Sequence, residues 1–127
     1  VISTDFHPML LDVSGLTPKV GKLPCAASIL PLLKRTGPLK RKAVYFHYPN
    51  YAWHGSNQLC GAVREGDYKL IERYDDGSVE LYNLADDISE KRDLSRKIPQ
   101  KAAELKHKLD AWLTESGAIM PKRLSPR

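Results

Sequence analysis

The stretch YKLIERYDDGSVELYNL, residues 68–84, decides the fold, because apolar and polar side chains alternate on both sides of a turn sequence. Alternation with a period of two is typical of β-strands that bury one face. Between the two runs, Asp75-Asp76-Gly77-Ser78 is a strong hairpin turn, since glycine adopts a positive φ without strain. The stretch therefore predicts a pair of antiparallel strands.

Two further strands are predicted upstream of this pair. Ala43–Phe46 is rich in β-branched and aromatic residues, and Pro49 ends it. Gly61–Arg64 is the second, and it is joined to residue 68 by a turn containing Gly66. We therefore expect an antiparallel meander over residues 43–84.

Helical periodicity marks both ends of the chain. A C-terminal helix is predicted over residues 95–117, with Ser95 opening it and Gly117 ending it. One face of this helix is apolar and needs the meander as its partner: Ala102, Leu105, Leu109, Trp112 and Leu113. Residues 1–36 are predicted to be a helical segment whose first helix stops at Gly15. The predicted class is α+β, a small antiparallel sheet of about four strands packed against a C-terminal amphipathic helix, with an N-terminal helical segment.

The composition is that of a globular protein. The chain has 127 residues, 42% of them hydrophobic and 28% charged, which fits one domain and excludes a disordered tail. The longest apolar runs, such as residues 29–33, are too short to cross a bilayer, so no membrane span is expected. Cys25 and Cys60 lack the spacing of a zinc site, and they either pair or remain small buried thiols.

The net charge of +5 comes largely from basic clusters at residues 34–35, 40–42 and 122–123. A basic surface attracts nucleic acid, an anionic membrane or a sulfated polysaccharide. A solvated face is the simpler interpretation, because acidic residues are interspersed elsewhere in the chain.

Five segments in order resemble the C-terminal subdomain of bacterial arylsulfatase-type sulfatases. Residues 1–12 resemble the family's helix with a "TDxxPTLLDLAG" pattern, and residues 28–33 resemble its "SLLPLL" element. Residues 46–51 are similar to "WHYPHY", and residues 63–71 to "IRDGDWKLI". The run from Leu81 through Glu90 to Leu94 is similar to "LYNLxxDPGExxNLA".

The resemblance implies that residues 1–127 are the C-terminal subdomain of a longer sulfatase and do not include the reactive centre of that enzyme. The family hydrolyses sulfate esters with a formylglycine, made from Cys or Ser in a C/S-x-P-x-R motif, and with a calcium ion. Neither Cys25 nor Cys60 is followed by the proline of that motif, and Lys69 is assigned no catalytic role. We therefore expect no catalytic residue, no metal ligand and no bound cofactor here, and no activity by this chain alone. The partner it implies is the N-terminal catalytic domain of the same chain, and the compartment is periplasmic or secreted.

The aromatic and histidine-rich loop is the candidate substrate-binding region. Imidazole and amide groups donate hydrogen bonds to sulfate, and aromatic faces stack on sugar rings. The resemblance places this loop near the substrate mouth, so five residues are predicted to line the outer pocket: His47, Asn50, Tyr51, Trp53 and His54. In the alternative interpretation, the tyrosines pack on the body and His47 satisfies a backbone group.

Two functions follow from these observations. In the first, the parent enzyme cleaves sulfate esters of a sulfated polysaccharide or an aryl substrate, and this part shapes the outer pocket. In the second, the chain is a free-standing, non-catalytic module that binds sulfated glycans or nucleic acid through its basic patches. Under the first, nucleic acid is not expected as a partner.

Overall fold

A computed structural model of the chain describes residues 1–16, 26–50 and 58–121. The chain divides into two compact units, Val1–Lys42 and Ala43–Arg127. We call them unit 1 and unit 2 and describe each by itself.

The described residues of unit 1, 1–16 and 26–42, form two short helices, α1 (Phe6–Ser14) and α2 (Leu30–Leu33). A single 3-10 turn, Ser3–Asp5, leads into α1. Gly15 ends α1 in the left-handed conformation, with φ 68°, and its N–H donates to the carbonyl oxygen of Leu11. The predicted helix stop at Gly15 is confirmed, and its reason is that glycine has no Cβ to clash at positive φ.

A buried ion pair holds unit 1 together. Asp5 is fully buried, and its two carboxylate oxygens lie 2.6 and 2.9 Å from the guanidinium of Arg41. The same carboxylate accepts hydrogen bonds from the backbone N–H groups of Ile2 and Ala27, at 2.8 and 3.1 Å. The Arg41 guanidinium, helped by these two N–H groups, outweighs the effect of burial and holds the pKa of Asp5 far below its usual range. Three segments of unit 1 therefore meet at one carboxylate.

Unit 2 contains the predicted meander. Its four strands are β1 (Ala43–Tyr48), β2 (Cys60–Glu65), β3 (Tyr68–Arg73) and β4 (Val79–Asn83), and they form an antiparallel sheet in the order β1-β2-β3-β4. Gly66 in the β2–β3 turn and Gly77 in the β3–β4 turn both have positive φ. The predicted α+β class and both turn assignments are confirmed.

The core of unit 2 lies between this sheet and the last helix, α3 (Pro99–Glu115). Val63, Leu70 and Leu81 lie side by side in the register of three neighbouring strands, and all three are fully buried. Four buried residues of α3 pack on that row: Ala102, Leu105, Leu109 and Leu113. Each fully buried leucine stabilises the fold by about 1.5–3 kcal/mol. This confirms the predicted apolar stripe and its partner.

The connection from β4 to α3 covers the free edge of β4. The N–H of Leu81 donates to the carboxylate of Asp93, and the carbonyl oxygen of Leu81 accepts from the N–H of Leu94. Both carboxylate oxygens of Glu90, from the same connection, accept from the ammonium of Lys69 in β3, at 2.7 and 2.9 Å. Backbone groups at a sheet edge are otherwise open to pairing with another chain. This edge is therefore closed by the protein's own connection.

The predicted start of the last helix at Ser95 is wrong. Ser95 donates from its N–H and its hydroxyl to the carboxylate of Asp93, at 2.8 and 2.9 Å, which holds it in a turn. The helix begins at Pro99, because proline has no N–H to satisfy and its φ suits the first helical position.

Trp112 is half-buried at the margin of the core and stacks on Tyr45 of β1. The two ring centroids are 5.1 Å apart and the ring planes differ by 6°. The tryptophan was predicted on the apolar face, and it lies there, but its main partner is one aromatic ring of the edge strand.

We predict that Trp112→Ala lowers the free energy of unfolding by about 2–4 kcal/mol, because a large aromatic contact with the core is lost. A double-mutant cycle with Tyr45→Ala is expected to show a coupling energy of about 0.5–1.5 kcal/mol, measured by denaturant unfolding. Tyr68→Ala is the matched control, since Tyr68 packs on the same core without stacking on Trp112. Equal coupling for both tyrosines would contradict the stacking interaction.

A second prediction concerns acid stability. The folded-state pKa of Asp5 is depressed, so its contribution is complete above the unfolded-state value of about 3.9 and is lost as the pH falls below it. The Ala27 amide donates to Asp5, so its protection from hydrogen exchange, corrected for the intrinsic rate, is expected to fall as the pH is lowered from about 5 to about 2. Asp5→Asn should remove this pH dependence, whereas Asp12→Asn, at an exposed site in unit 1, should retain it. A pH-dependent loss that survives Asp5→Asn would refute the assignment.

Candidate functional site

His47 lies near the end of β1, one residue before the strand stops at Tyr48. Its Nδ1 is 2.8 Å from the hydroxyl of Tyr74, and its Nε2 is 3.1 Å from the carbonyl oxygen of Ile119. Because a carbonyl oxygen can only accept, Nε2 carries a proton and donates. In the neutral ring, Nδ1 then accepts from the Tyr74 hydroxyl. The two contacts together select one tautomer and one ring orientation.

Tyr74 reaches His47 through a gap left by Gly61. Gly61 pairs with His47 in the β1–β2 register, and it is buried. A Cβ atom at this position would clash with the hydroxyl oxygen of Tyr74 and lie 3.2 Å from a methyl carbon of Leu109. Glycine in a strand interior often marks such a close approach. The missing side chain is therefore what admits the Tyr74 hydroxyl.

The Tyr74 hydroxyl remains a hydrogen-bond donor across the ordinary pH range. Burial, together with the negative charges of Glu72 and other acidic groups nearby, raises the pKa of Tyr74 to about 12. The two rings lie 5.5 Å apart at an angle of 59°. His47 consequently has a neutral, permanently protonated partner on its Nδ1 side.

We call the contacts among His47, Gly61, Tyr74 and Ile119 the His47 node. This node fixes both ends of the loop that is predicted to bind substrate. The N–H of Tyr74 donates to the carbonyl oxygen of Leu59, at 2.9 Å, and Leu59 is buried where the loop returns to β2. His47 is fixed just before the loop leaves β1. Asn50 is exposed at the start of the loop. Tyr51, Trp53 and His54 lie outside the described residues.

Three members of this node were missed by the sequence analysis: Gly61, Tyr74 and Ile119. Ile119 is 72 positions from His47 along the chain, and no local pattern links them. Glycine inside an otherwise apolar strand was the one available signal, because it indicates a bulge or a close approach. The alternative interpretation, in which His47 satisfies a backbone group, describes its contact with Ile119.

A concavity of about 480 Å³ lies beside the β4–α3 connection, lined by Asn83, Asp86, Asp87, Arg92, Leu94 and Lys97. Its polar groups are largely satisfied within the protein. The Asp87 carboxylate accepts from the N–H groups of Lys91 and Arg92, and the Asn83 amide donates to Asp86. The recess therefore stabilises the connection and presents no converging set of unpaired groups.

The described residues do not fit the two groups that the sulfatase resemblance implies for a whole enzyme. Within residues 1–16, 26–50 and 58–121, no cluster of three or more His, Cys, Asp or Glu side chains could hold a metal ion. Cys60 is a half-buried free thiol inside β2, paired in the sheet with Tyr48 and Arg73. Cys25 lies outside the described residues, so whether these two cysteines pair stays open.

A protein-family model described as N-sulphoglucosamine sulphohydrolase, C-terminal, matches residues 1–117. The chain belongs to this family. The match covers the helices of unit 1 and the sheet and last helix of unit 2. The resemblance to the C-terminal part of a sulfatase is thus confirmed.

Two curated relatives agree with the sulphohydrolase assignment. A sulfatase of Formosa agariphila is 31% identical over 132 residues, which cover 93% of this chain and 24% of that protein. An N-acetylglucosamine-6-O-sulfatase of Bacteroides thetaiotaomicron is 33% identical over 93 residues, covering 70% of this chain and 16% of that protein. The chain therefore spans about a quarter or less of the length of these relatives.

A solved structure described as a complex with its substrate, D-glucosamine-2-N,6-O-disulfate, has the same fold. Its TM-score is 0.71 and its identity 31%, over 87% of this chain and 23% of that chain.

In the described part of the present sulphohydrolase-family chain, no helix is both long and apolar enough to cross a membrane.

We predict that Tyr74→Phe releases His47 from its single tautomer. The loss of one partly buried hydrogen bond should lower the free energy of unfolding by about 1 kcal/mol. The ¹⁵N chemical shifts of the His47 ring should report a mixture of neutral tautomers in place of the Nε2–H form. Tyr48→Phe is the control, because Tyr48 is exposed and its hydroxyl has no partner among the described residues. Ring shifts that are the same in both variants would show that Tyr74 does not orient His47.

Proposed function

We propose that this chain is the C-terminal part of a longer sulfatase that removes sulfate from sulfated glucosamine units of a polysaccharide. The observation that carries the proposal is the family match over residues 1–117, in a chain about a quarter as long as its relatives. The names of two similar proteins support the substrate class: one is an N-acetylglucosamine-6-O-sulfatase, and the other was solved with D-glucosamine-2-N,6-O-disulfate.

The part assigned to this chain is to shape the outer substrate pocket. His47 lies near the end of β1, and the segment that follows carries the other predicted contacts, Asn50, Tyr51, Trp53 and His54. His47 is held at its base by Tyr74 and Ile119, and Asn50 is exposed to solvent. A binding segment whose two ends are fixed loses less conformational entropy when it binds a sugar, so it binds more tightly for the same contacts.

The reacting groups belong to the rest of the full-length protein. The chain contains no C/S-x-P-x-R motif, and its described cysteine is a strand residue. We propose that a formylglycine and a calcium ion are held by polypeptide beyond this chain, where they supply the nucleophile and neutralise the charge of the sulfate ester. The domain that holds them is then the chief partner of this chain. We also propose a periplasmic or secreted location, from the resemblance.

We predict that the full-length protein releases sulfate from D-glucosamine-2-N,6-O-disulfate and that residues 1–127 alone do not. In the full-length protein, His47→Ala should raise KM with a smaller effect on kcat, because His47, whose ring nitrogens contact Tyr74 and Ile119, fixes the start of the loop that is proposed to contact the substrate away from the reacting bond. Sulfate release, followed by ion chromatography over a range of substrate concentrations, measures both constants.

His107→Ala is the matched control, since His107 is exposed on α3. If kcat/KM is the same in both histidine variants, the hypothesis that the loop after β1 lines the substrate pocket is wrong. Failure of the unaltered full-length protein to cleave any sulfated glucosamine would remove the proposed substrate class. Sulfate release by residues 1–127 alone would contradict the proposal that the reacting groups belong to the rest of the full-length protein.

A further inference from the structure

The excess of positive charge in the chain is confined to unit 1. Residues 1–42 carry seven Lys and Arg but two Asp and no Glu, whereas residues 43–127 carry thirteen basic and thirteen acidic residues. The whole formal net charge of +5 therefore lies in unit 1. No acidic residue occurs between Asp12 and Glu65. Such an asymmetry indicates a surface that attracts an anionic partner.

Four of the basic side chains in unit 1 are exposed: Lys34, Arg35, Lys40 and Lys42. In the part of the chain that the structure describes, none of the four makes an ion pair or a hydrogen bond through its side chain. By contrast, the lysines of α3 that face the sheet, Lys106 and Lys108, are paired with Glu72 and Glu65. These four cations therefore retain their capacity to bind an outside anion.

The Asp5–Arg41 pair neutralises one acidic residue of unit 1 and anchors the segment that carries Lys40 and Lys42. Asp5 is one of the two acidic residues in unit 1, and its negative charge is neutralised by the buried ion pair with Arg41. Arg41 is partly buried while its neighbours Lys40 and Lys42 are both exposed. Anchoring Arg41 therefore fixes the backbone that carries the two lysines, which lowers the ordering cost of binding at that segment.

We propose that Lys34, Arg35, Lys40 and Lys42 form a binding surface for the anionic chain of a sulfated polysaccharide, in addition to the pocket at the loop after β1. The inference deepens the proposed function and rests on it for the identity of the polyanion. The surface holds sugar units other than the one that loses its sulfate. Its contribution is chiefly electrostatic, so it is sensitive to salt.

The composition of unit 1 favours a polysaccharide over single-stranded nucleic acid. Phe6 is its one Phe, Tyr or Trp residue, so unit 1 offers a single such ring for stacking. Proteins that bind single strands combine a basic groove with aromatic rings on which bases stack. A surface dominated by lysine and arginine, with one such ring at most, suits a ligand recognised chiefly through its sulfate groups.

The test compares two triple variants of the full-length protein that remove the same charge. Lys34→Gln/Lys40→Gln/Lys42→Gln alters the proposed surface, and Lys91→Gln/Arg96→Gln/Lys97→Gln alters exposed cations of unit 2. The probe is a heparin-derived octasaccharide, with binding measured by calorimetry at several salt concentrations. At physiological salt the unit 1 variant should bind about tenfold or more weakly, with a shallower salt dependence, and the unit 2 variant should stay within about threefold of the unaltered protein.

Turnover separates this inference from the proposed function. The unit 1 variant should raise KM for the octasaccharide and leave KM for D-glucosamine-2-N,6-O-disulfate unchanged. Equal weakening by both triple variants would overturn the proposed surface, and so would equal binding of a DNA duplex of matched charge. If no sulfate is released from either substrate but octasaccharide binding still depends on the unit 1 lysines, the surface stands and the proposed enzymatic function falls.

Discussion

The contact between the leucines of α3 and the row Val63, Leu70 and Leu81 is the interaction on which unit 2 depends. It sets the distance of the helix from the sheet, and the other features of unit 2 follow from it. Leu109 lies against Gly61, so the helix forms one wall of the space that the Tyr74 hydroxyl enters. The segment after α3 brings the Ile119 carbonyl to His47. The apolar core thereby positions a polar node at one end of the sheet.

Much of this architecture was predictable because it rests on local patterns. Alternation along β3 and β4 and the glycine at Gly77 predict a hairpin, and the spacing of the buried α3 residues predicts an amphipathic helix. The start of α3 was predicted wrongly at Ser95, because serine is a preferred residue at the N-cap position of a helix. Here the carboxylate of Asp93 competes for the same serine and holds it in a turn.

The site was only partly predictable, because its geometry depends on contacts between distant segments. His47 stands out by residue type, but its orientation comes from Tyr74 and Ile119, which are 27 and 72 positions away. The ion pair of Asp5 with Arg41 spans 36 positions, and Arg41 reads in the sequence as one member of a solvated basic cluster. Burial of one charge in a cluster is a tertiary event, and no periodicity reports it.

The gap at Gly61 couples two positions that are thirteen residues apart in the chain. A side chain larger than hydrogen at position 61 needs the space that the Tyr74 hydroxyl occupies, so each residue limits what the other can become. Relatives that carry alanine or a bulkier group at the first position are therefore expected to have given up tyrosine at the second. The histidine of those proteins must then be oriented by a different neighbour, and the specificity of the adjoining loop is free to diverge with it.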